Sequence, residues 1–188
     1  MKVLLLCGPP GCGKDTIGGM LQKLLPGLPV LLKFSQPIIN FMLEAYGIQM
    51  SRVEKDKPHP RLSGRTPRQV AIAYSEKFCK PLFGIDYFGN EALNEVQQLQ
   101  KNGAQSVIFT DSGFVSEAAV LLRSFGSQSV RVVHISRRGC SFEGDSRSHW
   151  SHPHIGEILF ENVGDSLDAL QADIVSGLLP QLQTWLSS

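Results

Sequence analysis

The sequence predicts an α/β domain of three layers, with about five parallel strands between two sheets of helices. Three observations carry that expectation. Short apolar runs recur along the chain, and the first, in KVLLLC (2–7), is continuous enough to be a strand buried on both faces. Segments with helical spacing lie between them, and strand–helix alternation implies a parallel sheet with right-handed crossovers. A glycine-rich turn, CGPPGCGKDT (7–16), follows the first run directly.

KVLLLC (2–7) reads as the first strand. Ile17, Met20, Leu21, Leu24 and Leu25 then repeat at helical spacing until Pro26 and Gly27 end the helix. VLLKF (30–34) is the second strand. Ser35 is placed to cap the next helix, with Pro37 in its first turn and Ile38, Phe41, Met42 and Ala45 on its inner face. The stretch 47–65 is polar and charged and reads as a loop, after which Thr66 and Pro67 start a helix.

Residues 90–101 look helical and stop at Asn102 and Gly103. SVIFTD (106–111) is a third strand, 117–125 a helix, and VRVVHIS (130–136) a fourth strand. The stretch 137–156 is rich in Arg, His, Ser and Gly and has no period. EILFEN (157–162) is a short fifth strand. Leu167, Leu170, Ile174, Leu178, Leu182 and Trp185 mark a long amphipathic C-terminal helix. With no internal repeat and no dividing linker, residues 1–188 form a single domain.

Bulk properties narrow the function classes. The chain has 188 residues, a formal charge of +1, 42% hydrophobic and 19% charged residues, all ordinary for a globular protein. That charge gives no broad basic field for gripping duplex DNA. No apolar run is long enough to span a membrane, and no cleavage site of small residues follows the first run. A cytoplasmic location is expected. Cys7, Cys12, Cys79 and Cys140 form no CxxC pair and read as reduced thiols. His134, His149, His152 and His154 invite a zinc reading, but no cysteine stands at a suitable spacing to complete a site.

Gly8, Gly13 and Lys14 fit G-x-x-x-x-G-K after a strand and before a helix, the P-loop pattern. Its logic is anion capture. Glycines such as Gly8, Gly11 and Gly13 let the backbone around Pro9, Pro10 and Cys12 curl so that N–H groups point inward, at the positive end of a helix. Lys14 reaches the β- and γ-phosphates as a flexible charge. Asp15 stands where the common pattern has a Mg²⁺-binding Ser or Thr, and Thr16 follows with a hydroxyl for metal or phosphate.

The guanine-reading N/TKxD pattern is absent, and two further groups of cations point to phosphoryl transfer. Arg65 and Arg68 flank a helix start in GRTPRQ and are placed to clamp an acceptor phosphate. Arg137, Arg138 and Arg147 lie in the aperiodic stretch, where a lid would stabilise charge on the migrating group. Asp111 ends the third strand, where parallel sheets present ligand-binding residues; it either holds Mg²⁺ or accepts the acceptor's proton. Glu117 faces either the same cleft or solvent.

GPPGCGKDT, GRTPRQ, an Asp-ended strand followed by SEA, an arginine-bearing lid and ENVGDSLDAL occur here in a familiar order. Across nearly the whole chain that order resembles the bacteriophage deoxynucleoside monophosphate kinases, within the P-loop nucleoside monophosphate kinase group. The resemblance implies ATP and Mg²⁺ as cofactors, and transfer of the γ-phosphate to a deoxynucleotide in phage DNA precursor metabolism. Gly8 to Thr16 and Asn162 would serve ATP, with Thr16 and Asp111 on the metal. Ser35, Arg65 and Arg68 (segment 47–68) would serve the acceptor, and Arg137 or Arg138 (segment 137–156) the lid. It leaves a homodimer open and places the protein in the host cytoplasm.

There is one departure. That family tends to show Asp-x-Arg after the third strand, and this chain reads DSGF, Asp111 to Phe114. The acceptor half is altered while the donor half is intact. The chain is similar also to phage kinases that phosphorylate 5-hydroxymethyl-deoxyuridine within DNA during thymidine hypermodification. For those, Arg52, Lys55, Lys57, Arg61 and Arg65 would follow a DNA backbone while the base is flipped into the cleft. A third alternative is a nucleotide-binding module without turnover.

Overall fold

The computed structural model describes residues 1–51 and 53–187, so the expectation placed on Arg52 lies outside the described residues. In chain order the elements are β1 (Lys2–Cys7), α1 (Lys14–Leu24), β2 (Val30–Leu32), α2 (Gln36–Tyr46), α3 (Pro67–Ala73), α4 (Lys80–Phe83) and α5 (Tyr87–Lys101). They continue with β3 (Ser106–Ser112), α6 (Val115–Phe125), β4 (Val130–Ser136), β5 (Gly156–Glu161), α7 (Leu167–Asp173) and α8 (Leu179–Leu186). The sheet is wholly parallel, in the order β2-β3-β1-β4-β5.

Strand alternation divides β1 between two cores. Leu4 and Leu6 pack with Ile17 and Leu21 of α1 and with Leu170, Ile174 and Leu182 of the C-terminal helix. Val3, Leu5 and Cys7 face the other way, against Ala92 and Val96 of α5 and Ala118 and Leu121 of α6. This two-sided burial is why the strand reads as an unbroken apolar run. A smaller core around Met42, Ile48 and Leu62 sits under the segment before α3.

All five predicted strands form, with shifted ends. β2 stops at Leu32 instead of Phe34 because the chain turns there: the N–H groups of Phe34 and Ser35 donate to the Asp111 carboxylate at 2.8 and 3.0 Å instead of to a neighbouring strand. Ser35 therefore does not cap α2 as expected; its hydroxyl also donates to Asp111, at 2.5 Å. Thr66 does cap α3, in a reciprocal box with Gln69. The C-terminal helix contains a π-helical turn at Ile174–Leu178, and a second such turn, Tyr74–Cys79, joins α3 to α4.

β1 lies between β3 and β4, so the chain crosses from one side of it to the other. That crossing opens a crevice at the C-terminal strand ends, the usual ligand position in open parallel sheets. No helix among the described residues is long and apolar enough to cross a membrane.

Candidate active site

The loop between β1 and α1 is shaped by three glycines. Gly11 (φ 83°) and Gly13 (φ 102°) are left-handed, a conformation that costs other residues energy. A Cβ on Gly8 would collide with the Ile135 carbonyl oxygen and approach Cys12 Sγ to 2.7 Å. From behind, Asn162 Nδ2 donates to the Cys12 carbonyl at 2.9 Å, while its own N–H bonds Ser136. Asn162 is 3% exposed, so it braces the loop from inside the fold.

Lys14 donates to the Gly8 and Pro9 carbonyls at 2.5 and 2.8 Å. Burial of its ammonium group pulls its pKa below the usual lysine value. Asp15 accepts from Lys33 at 2.6 Å and from the Thr110 hydroxyl at 2.7 Å. Burial acts to raise the Asp15 pKa, and these two bonds together with the lysine charges carry it below the ordinary value. Pro10, Gly11, Gly13, Asp15 and Thr16 all border a cavity of about 350 Å³ that runs from the loop towards α2, α3 and α6.

The far side of this cavity mixes apolar walls with ion pairs. Ile38, Ile72, Phe88 and Phe114 supply apolar surface. Lys80 lies 3.7 Å from the centre of the Phe114 ring and pairs with Glu76. Glu117 on α6 faces this cavity and is only 4% exposed, which resolves the two orientations the sequence left open. Burial, reinforced by the charge of Asp111, pushes its pKa well above the ordinary carboxylate value.

Arg68 borders the cavity and is already paired. It donates to both Asp56 oxygens, at 2.5 and 3.2 Å, and approaches Asp145 to 3.5 Å. Arg147 makes two bonds to Asp145, at 2.8 and 2.7 Å. Asp145 has a side-chain exposure of 6%. Burial alone would raise its pKa, and the Arg147 bonds bring it below the ordinary value instead. The chain Arg147–Asp145–Arg68–Asp56 thus ties segment 137–156 to the segment before α3.

Of the expected site residues, the cavity gathers Lys14, Asp15, Thr16, Ser35, Arg68, Asp111 and Arg147. Arg65, Arg137 and Arg138 are exposed and lie outside its lining. Among the cations proposed to follow DNA, Lys57 pairs with Glu54 and Arg61 bonds the Tyr46 carbonyl. Lys55 turns into the cavity. Lys33 also borders it and was missed, although its place at the end of β2 was a usable signal.

Gly113 explains the altered DSGF stretch in local terms. Arg147 packs across it so closely that a Cβ there would lie 2.6 Å from the Arg147 Cβ, and the Ser148 N–H reaches the Gly113 carbonyl at 3.4 Å. The aliphatic stem of Arg147 therefore covers this position, while its guanidinium is held by Asp145.

No family model matches the sequence, and no curated protein sequence matches it. Solved structures do. The chain is similar to the dephospho-CoA kinase of Campylobacter jejuni at 14% identity and TM-score 0.50, over 96% of this chain and 98% of that one. It also matches a sugar kinase from Janibacter sp. HTCC2649, at 12% identity and TM-score 0.43 over 95% and 94% of the two chains. At such identity the likeness shows the fold alone: a five-stranded parallel sheet flanked by helices.

Proposed function

We propose that the protein is an ATP-dependent phosphotransferase whose acceptor is a deoxynucleotide. The observation that carries this reading is the single cavity that joins a glycine loop and its lysine to a second chamber with apolar walls and arginines. A donor and an acceptor fit end to end in such a space. Holding them in line supplies most of the catalysis that phosphoryl transfer requires.

The loop suits a triphosphate, because left-handed Gly11 and Gly13 let its backbone curl, while a Cβ on Gly8 or Gly13 would press into Ile135 or Asn162 and push the loop out of place. Thr16, its neighbour Asp15 and Asp111, all in the cavity lining, offer oxygen ligands of the kind Mg²⁺ takes. When bound, the ion neutralises charge on the β- and γ-phosphate oxygens. Lys14 exchanges its loop carbonyls for the γ-phosphate, and Arg147 faces the group being transferred. Asp111 fixes the β2–α2 turn, which holds Ser35 at the acceptor.

In the first form of this reading the acceptor is a free deoxynucleoside monophosphate and Arg68 binds its phosphate. A second form has a hydroxymethylated base in DNA as acceptor, and the aim of Glu117 favours it. A buried carboxyl with a raised pKa is suited to take a proton from an alcohol, whereas a phosphate acceptor has no need of one. The arginines in the chamber are also already matched by carboxylates.

One experiment separates the forms. The protein is incubated with γ-labelled ATP, Mg²⁺ and either each deoxynucleoside monophosphate or DNA containing hydroxymethyluracil. Label in a free diphosphate supports the first form, and label on the polymer the second. Label in neither overturns the proposal. Glu117→Gln should reduce kcat in the second case and leave it nearly unchanged in the first.

A further inference from the structure

We propose that Cys7, His134 and His149 bind a thiophilic divalent cation, Zn²⁺ by its ligand chemistry, and that this ion clips segment 137–156 to the sheet. The site adjoins the cavity but shares none of its lining residues. Its chemistry does not depend on the kinase reading.

The ligand atoms of the three residues lie within 4.8 Å of one another. Cys7 Sγ is 3.8 Å from His149 Nδ1, and the two imidazole rings meet edge to face with centroids 5.3 Å apart. A tetrahedral ion with Zn–S of about 2.3 Å and Zn–N of about 2.0 Å sets sulfur and nitrogen roughly 3.5 Å apart. The cluster therefore needs only a small inward movement, chiefly of His149, which is exposed.

His134 supplies an independent argument. It is 8% exposed, and both of its ring nitrogens are buried without a hydrogen-bond partner. Buried imidazole nitrogens are seldom left so, since each costs free energy to desolvate. Glu157 Oε2 stands 3.4 Å from Nε2 without hydrogen-bond alignment, the position of a carboxylate that orients a metal-binding histidine. One thiolate and two imidazoles select zinc over magnesium or calcium, which prefer oxygen.

The three residues come from different places. Cys7 ends β1 just before the glycine loop, His134 lies on β4, and His149 belongs to the irregular segment. Cys7 and His149 are 142 residues apart, which is why spacing along the sequence gave no site. An ion here fixes His149, two residues beyond Arg147, and so steadies the arginine that borders the cavity.

The test uses the reduced full-length protein and Co²⁺ alone, followed by displacement with Zn²⁺ against a chromophoric chelator. One equivalent of Co²⁺ should bind, with a thiolate-to-cobalt absorption band and tetrahedral d–d bands. His149→Ala should weaken Zn²⁺ binding at least about tenfold, Cys7→Ser should remove the thiolate band, and His152→Ala should change neither. Zn²⁺ should also slow proteolysis within 137–156 in the parent. Absence of the thiolate band, or His149→Ala binding as the parent does, overturns the site. Binding without protection from proteolysis overturns the clip. Should Cys7→Ser fail to fold, the parent spectrum and His149→Ala decide the matter.

Discussion

The glycine loop and segment 137–156 face the same cavity and are held in place by opposite means. The loop is organised mainly by near neighbours: left-handed glycines, the fold-back of Lys14 onto Gly8 and Pro9, and the first turn of α1. Asn162 adds one remote brace. Segment 137–156 has no helix or strand before Gly156 and depends on distant partners. Asp145 meets Arg68, Ser148 meets Cys7 and Gly113, and Trp150 enters the core beneath the sheet. The glycine loop is thus a local property of sequence, and the wall facing it across the cavity is a tertiary one.

That contrast can be tested by mutation, starting with the loop. Lys14→Ala should lower kcat/KM by roughly 10²–10³-fold, about 3–4 kcal/mol of transition-state stabilisation. Its melting temperature should not fall, because a buried ammonium group is removed. Steady-state kinetics with a turnover equal to the parent's would detach the loop from the chemistry.

Arg147→Ala should act on stability, since it leaves the Asp145 carboxylate buried with only the more distant Arg68. A loss of about 3 kcal/mol is expected in urea unfolding, against less than about 0.5 kcal/mol for the exposed Arg137→Ala. Equal losses would mean that the segment is not held by this pair. Arg68→Ala should raise the acceptor KM about tenfold with little change in the KM for ATP. Arg65→Ala should alter neither constant.

Glu117 gives a pH-dependent test. Its carboxyl keeps a proton in the folded state above the ordinary value of 4.5, at which the unfolded chain releases it. Above that pH the folded state binds more protons than the unfolded state, so this residue makes stability fall as pH rises. Asp145, with its lowered pKa, acts in the opposite direction and loses its contribution as pH falls below its ordinary value of 3.8. Urea midpoints measured from pH 4.5 to 8 should decline less steeply in Glu117→Gln than in the parent. Parallel curves would remove Glu117 from the buried set. A modest effect is expected from Thr66→Ala, about 1 kcal/mol in urea unfolding from the lost cap of α3.

Much of this architecture was readable from sequence because its determinants are periodic or local. β1 carries an apolar run long enough to define it, β4 is rich in β-branched residues, and the loop announces itself by Gly8, Gly13 and Lys14. The misreadings fall where a side chain from elsewhere intervenes. Phe34 and Ser35 leave the strand and cap positions assigned to them because Asp111, at the end of another strand, takes their N–H groups. Arg147 could be named as a lid residue, but not its partnership with Asp145 and Arg68, which spans the chain. Nor could spacing reveal Cys7 beside two histidines.

Gly113 gives this division a consequence for how the protein can change. Because that position contributes bare backbone and the side-chain stem packed over it arrives from residue 147, the wall on this side of the cavity behaves as an exchangeable part. Changes at its exposed positions would alter that wall, while Trp150 and Ile155 keep the segment anchored in the core of the sheet. Natural variation in acceptor preference on this scaffold should therefore accumulate in that stretch, while the glycine loop stays nearly fixed.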